Sequence, residues 1–127
     1  MADVNRGNRP LSPHLQIYRP QMTSISSILM RISGNALIVA ALMITWWFVA
    51  AAAGPDAFAT ADAFVTSWFG KLVFLGSIWA IWYHLLGGIR HLIWDTGRAL
   101  DVATAEMMGW GMVGGSILLT LITIAIL

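Results

Sequence analysis

The chain has 127 residues, of which 58% are hydrophobic and only 10% charged, and its formal net charge is +1. So apolar a composition over this length excludes an ordinary soluble domain and places the chain among integral membrane proteins, while the near-neutral charge gives no case for nucleic acid. With no cysteine, the chain carries no disulfide framework, thiolate metal site, Fe–S cluster or thioether-linked haem.

Residues 1–20 (MADVNRGNRPLSPHLQIYRP) hold three prolines and three arginines, which rules out a continuous helix. An extended segment hugging the membrane is expected, with Leu15, Ile17 and Tyr18 in the headgroup zone. These polar residues do not read as a secretory signal, and Asp3 argues against a transit peptide, so a bacterial inner membrane is the expected setting. The first apolar run, 24–53, exceeds the ~20 residues that span hydrocarbon and is broken by Arg31 and Asn35. Gly54-Pro55-Asp56 ends it, and a short link reaches about Asp62. A second span is expected at about 64–94 and a third at about 107–127. The chain then divides into an N-terminal segment, 1–23, and one all-α, three-helix membrane domain, 24–127. Gly111 and Gly115 in the third span form a small-xxx-small pair, suited to close packing inside the chain or against another.

Arg6, Arg9, Arg19 and Arg31 flank the start of the first span, and Arg90 and Arg98 the end of the second. Only Lys71 falls towards the other side. By the positive-inside rule the N-terminus is cytoplasmic and the C-terminus, after three spans, periplasmic.

Tyr83–Asp95, YHLLGGIRHLIWD, is the chemically unusual stretch. His84, Gly88, His91 and Asp95 recur at i, i+4, i+7 and i+11, one helical face, and ionisable groups inside a membrane mark functional sites by default. Imidazole alternating with glycine suits a flat cofactor. If Trp94 marks the interface, His84 lies roughly 15 Å deep and His91 about 5 Å at 1.5 Å per residue. His84 suits either a haem ligand or a helix–helix hydrogen bond. One helix cannot supply both axial ligands. His84 and His91 are roughly 10.5 Å apart along the axis, whereas trans ligands at about 2 Å per bond are about 4 Å apart. His14 precedes the membrane, so the second ligand of a six-coordinate haem, if one exists, must come from another chain. Met30, beside Arg31, is too shallow to oppose His84 and reads as packing.

On the first span, Ser24, Ser27, Arg31 and Asn35 fall at i, i+3, i+7 and i+11. Arg31 calls for an anion or several acceptors: haem propionates, a quinone carbonyl, Asp95, or lipid phosphates reached by snorkelling. Arg90, His91 and Asp95 are near enough to the cytoplasmic edge to be solvated, and Asp95 and His91 are candidate proton relays.

The run His84-Leu85-Leu86-Gly87-Gly88-Ile89-Arg90-His91-Leu92-Ile93-Trp94-Asp95-Thr96-Gly97 resembles the histidine-containing signature of the cytochrome b556 family of succinate dehydrogenase anchors. Arg9-Pro10-Leu11-Ser12-Pro13-His14-Leu15 and Ser27-Ile28-Leu29-Met30-Arg31-Ile32-Ser33-Gly34 resemble that family's other signature, in the same order. The resemblance implies half of a two-chain haem-binding bundle, paired with a second three-helix hydrophobic anchor. A flavoprotein with FAD and an iron–sulfur subunit would carry the remaining cofactors. It further implies haem b ligated by His84, with Arg31 and His91 on the propionate side, and ubiquinone bound by Ser27 and Arg31. This sequence departs from the family in having Met30 where His is usual. An anchor of a related fumarate-reducing complex and a haem-free structural anchor are the alternatives.

Overall fold

Four helices succeed one another in the computed structural model, which describes residues 16–127: α1 (Met22–Ala53), α2 (Pro55–Thr66), α3 (Trp68–Asp95) and α4 (Val102–Ile126). The described residues include no strand, and α1, α3 and α4 are each long and apolar enough to cross a membrane. Arg6, Arg9, His14 and the Arg9–Leu15 part of the signature lie outside the described residues.

Helix α1 begins where Gln21 leaves extended geometry. Ser24 Oγ accepts the Gln21 amide proton at 3.3 Å and donates to the Gln21 carbonyl at 2.9 Å. Its 32 residues reach about 48 Å, beyond the ~30 Å hydrocarbon core, so α1 tilts or projects. Gly54 stops it with φ +130° and ψ 175°, a region essentially reserved for glycine.

The segment after Gly54 is helix, not the expected link. Pro55 occupies the first helical position of α2, where its missing amide proton is no loss. Helix α2 folds back along the end of α1, with Trp47–Phe58 and Trp46–Phe64 ring centroids 5.3 and 5.6 Å apart. Trp47 Nε1 also donates to Asp62 Oδ1 at 3.2 Å. Ser67, in extended geometry, resets the chain, and its Oγ accepts the Gly70 amide proton at 3.1 Å to cap α3. A Cβ at Gly70 would collide with the Val65 and Phe64 carbonyl oxygens. The second span therefore starts at Trp68 rather than near 64.

After α3, Trp94 Nε1 donates to the Ala99 carbonyl at 2.9 Å, closing the loop through a left-handed Gly97 (φ +74°). Asp101 Oδ1 accepts the Thr104 amide proton at 2.9 Å, starting α4 at Val102, earlier than expected. Helix α3 packs against both α1 and α4. The interior is narrow and built from small or polar groups, Tyr83, Ser26 and Ser116 being its fully buried side chains, whereas most large apolar side chains point outward. Gly115 turns inward, where a Cβ would stand 3.1 Å from Leu86 Cδ1, but open space lies beside Gly111.

Candidate functional site

The buried stripe of α3 is Ala80, Tyr83, Gly87 and Arg90, at i, i+3, i+7 and i+10. Facing it on α1 are Ser26, Met30 and Ser33. The Tyr83 hydroxyl donates to the Ser26 carbonyl at 3.1 Å, and Arg90 Nη1 donates to Ser26 Oγ at 2.8 Å. Arg90 Nη2 donates to the Ala105 carbonyl on α4 at 2.8 Å, and the guanidinium lies 4.1 Å over the Trp94 ring. Arg90 thus joins three helices and is only 3% exposed. The expectation of a solvated Arg90 at the cytoplasmic edge is corrected: Arg90 shares the inward face of Tyr83, where hydrogen bonds and the indole replace water.

His84 comes directly after Tyr83 and so turns about 100° towards the flank of α1. Its Nδ1 lies 3.1 Å from the Met30 carbonyl and 3.2 Å from Ser33 Oγ, while the Ser33 hydroxyl donates to that same carbonyl at 2.9 Å. A carbonyl only accepts, and the hydroxyl proton is already committed, so Nδ1 carries the ring proton. In the neutral ring Nε2 then bears the lone pair, and it has no hydrogen-bond partner among the described residues. The helix–helix hydrogen bond and the metal-ligand role are therefore compatible, one at each ring nitrogen.

Two glycines shape the surroundings. A Cβ on Gly34 would stand 3.0 Å from His84 Cε1, whereas Gly88, one turn beyond His84, has open space beside it. Gly34 thus lets the two helices meet at the His84 ring, and among the described residues no atom stands against the Gly88 position. The Met30 side chain points into the bundle, its Sδ occupying the place a Gly87 Cβ would take.

Ser27, Arg31 and Gly34 succeed one another at i, i+4 and i+7, so Ser27 and Arg31 occupy the flank that meets His84. Ser27 is half-buried and its hydroxyl donates to the Thr23 carbonyl at 2.9 Å. Arg31 is exposed, and its carbonyl accepts from Asn35 Nδ2 at 3.1 Å. Because Ser26 meets Arg90 and Gly34 meets His84, Arg31 falls between those levels, roughly 4.5 Å along the axis from Gly34. His91 and Asp95 are exposed further towards the same end, His91 edge-on to Trp94 at 5.3 Å. Arg31 and Asp95 form no ion pair among the described residues.

No cluster of three His, Cys, Asp or Glu side chains suited to a bare metal ion occurs among the described residues. One imidazole with a bare Nε2 fits instead a metal that arrives with a planar macrocycle supplying its other donors. Sequence reasoning missed the Tyr83–Ser26–Arg90 lock. The available signal was Ser26 and Ser33 bracketing Met30 at i, i+4 and i+7, a second polar line beside the Ser27–Arg31 one.

Residues 5–123 match the profile of the succinate dehydrogenase/fumarate reductase transmembrane subunits. The chain is 51% identical over 126 residues to the succinate dehydrogenase cytochrome b556 subunit of Paracoccus denitrificans, spanning 99% of this chain and 97% of that protein. It is 38% identical over 114 residues to the subunit of the same name from Rickettsia conorii, spanning 90% and 89% of the two chains. Identity to the succinate dehydrogenase cytochrome b560 subunit of Reclinomonas americana is 36% over 126 residues, spanning 91% and 83%.

Proposed function

This chain belongs to the succinate dehydrogenase/fumarate reductase transmembrane-subunit family, and from that premise we propose that its His84 ligates a haem b shared with a second anchor chain. The protein is a multi-pass membrane-anchor subunit of a succinate dehydrogenase, an oxidoreductase complex. Succinate oxidation belongs to a flavoprotein subunit carrying FAD, and electrons reach the membrane through an iron–sulfur subunit.

The observation that carries the haem reading is the polarity of the His84 ring. Nδ1 is held by the Met30 carbonyl and Ser33 Oγ, the outer-shell arrangement that fixes the tautomer and orientation of a ligating histidine. Gly34 lets α1 come close to the His84 ring, and open space lies beside Gly88, one turn along. When bound, haem b supplies a one-electron store within the membrane. His84 would hold the group from this chain, and the partner anchor would supply the other protein donor, since His91 is exposed and roughly 10.5 Å further along α3. Arg31 and His91 stand towards the edge from which propionates would emerge.

Ubiquinone is the substrate, held at the cytoplasmic end of the bundle by Ser27 and Arg31. The Arg31 guanidinium donates to a quinone carbonyl oxygen and favours the negative charge that builds there on reduction. Ser27 joins by rotating its hydroxyl away from the Thr23 carbonyl, an acceptor that still receives the Ser26 hydroxyl at 3.1 Å. Protons arrive from the cytoplasmic side past the exposed Asp95 and His91, in an inner membrane with the N-terminus cytoplasmic and the C-terminus periplasmic.

Two substitutions test these roles separately in the purified complex. His84→Ala is expected to remove the reducible b-type optical spectrum while the subunits still assemble; an unchanged spectrum overturns the haem assignment. Arg31→Leu is expected to abolish quinone reduction yet keep succinate-to-dye activity; undiminished quinone reduction overturns the quinone assignment.

A further inference from the structure

The bundle end remote from His91 and Asp95 carries two neighbouring apolar grooves. One, of about 330 Å³, is lined by Ile44, Trp47, Phe48 and Asp62 and closed by Val65 and Phe74. The second, of about 460 Å³, shares Val65 and Phe74 and is bordered by Lys71, Leu75, Ile78 and Ile124. We propose that the two grooves, with Asp62 and Lys71 at their rims, form a binding site for one diacyl phospholipid of the phosphatidylethanolamine class.

Because both grooves share Val65 and Phe74, the two acyl chains of one lipid can occupy them side by side. Ile78 lies two turns beyond Lys71, about 10 Å along α3, so the second groove runs from the level of a headgroup into hydrocarbon. The walls are held in place by the α1–α2 contact: Trp47 stacks edge-on with Phe48 and Phe58, at 5.2 and 5.3 Å, and donates to Asp62.

Charge selects the headgroup. Lys71 is exposed and its ammonium reaches a phosphate diester. Asp62 is half-buried, and only Oδ1 is engaged, by Trp47, leaving Oδ2 without a hydrogen-bond partner among the described residues. A primary ammonium can donate to it, whereas a choline group has no N–H to offer. The charged side chains at this end are Asp56, Asp62 and Lys71, a balance that disfavours a headgroup of net negative charge. A headgroup carrying one charge of each sign satisfies both rims.

The test uses the intact complex, purified, stripped of lipid, and titrated with phosphatidylethanolamine, phosphatidylcholine or phosphatidylglycerol of matched chains. Bound equivalents are read by native mass spectrometry. Asp62→Asn keeps an oxygen for Trp47, and Lys71→Gln changes an exposed side chain, so neither threatens assembly, which the intact mass verifies. Wild-type complex is expected to take up one more equivalent of phosphatidylethanolamine than either variant, retention falling about fivefold per lost charge, with weaker uptake of the other two lipids. Equal uptake by the variants, or equal binding of phosphatidylglycerol, overturns the proposal. Cross-linking of a Val65→Cys complex to another subunit overturns it too, since protein would then cover the grooves.

Discussion

Arg90 and Arg31 lie on neighbouring helices, yet the structure gives them opposite tasks, and substitution by leucine separates them. Arg90 makes two hydrogen bonds of 2.8 Å to neutral acceptors and lies 4.1 Å over Trp94, at 3% exposure. Hydrogen bonds from a charged group contribute about 1.5–3 kcal/mol each, against which stands the desolvation of a guanidinium in a nearly dry bundle. Leucine relieves that desolvation and the unpartnered Nε, and Ser26 keeps its bond to the Thr23 carbonyl. The net destabilisation from Arg90→Leu is therefore about 1–3 kcal/mol rather than the sum of its contacts. Arg90→Lys restores little, because an ammonium neither lies flat on the indole nor spans Ser26 and Ala105 together. Arg31, exposed and with no side-chain hydrogen bond among the described residues, is expected to change stability by no more than about 0.5 kcal/mol on replacement by leucine. Heat-induced loss of helicity in the purified complex measures both, alongside quinone reduction. A destabilised Arg31→Leu with an unaffected Arg90→Leu would refute the assignment of one cation to the fold and the other to the substrate.

Further predictions concern the packing that supports the site. Gly87→Val drives methyl groups into Met30 Sδ and Met112 Cε, so the Met30 carbonyl shifts away from His84 Nδ1; a cost of about 1–3 kcal/mol is expected, with a displaced haem absorption band as the readout. Gly54→Ala forces a side chain into φ +130°, ψ 175°, and is expected to lower stability by about 1–3 kcal/mol, measured by the same thermal scan. The Asp101 carboxylate accepts the backbone N–H of Thr104, and then its hydroxyl, so its pKa lies below the ordinary value. A carboxyl whose folded pKa is depressed stabilises the fold above the unfolded pKa, and this contribution is lost as pH falls through the folded one. Acid titration of the thermal midpoint should show this loss in the wild type but not in Asp101→Asn.

Much of this architecture was legible because hydrocarbon imposes length and apolarity, which single out the three spans, and because ionisable groups within them are few. The His84 face could be read for that reason. The features that stayed hidden owe it to the same medium. With lipid outside and apolar neighbours inside, α1 carries two adjacent polar lines, and nothing in the pattern tells that Ser26 and Ser33 turn inward while Arg31 turns outward. Arg90 was misplaced because distance from Trp94 says nothing about rotation around the helix, and only the Tyr83 stripe turns it inward. Helix α2 escaped notice because Gly54-Pro55 reads as a stop, although proline is also well suited to a first helical turn. Among the described residues the other imidazole, His91, lies two turns along α3 from His84, so the proposed haem site leaves one donor to the partner anchor.

In the proposed site His84 would hold the haem iron through Nε2, with an imidazole of the partner anchor as the other protein donor. Near-infrared magnetic circular dichroism of oxidised complex carrying His84→Met addresses it most directly, because the charge-transfer band of low-spin ferric haem reports the pair of axial ligands. The wild type is expected to show a bis-imidazole band and the variant a band moved to imidazole–thioether ligation, or loss of the low-spin haem. A bis-imidazole band that persists unchanged in the variant would contradict the account.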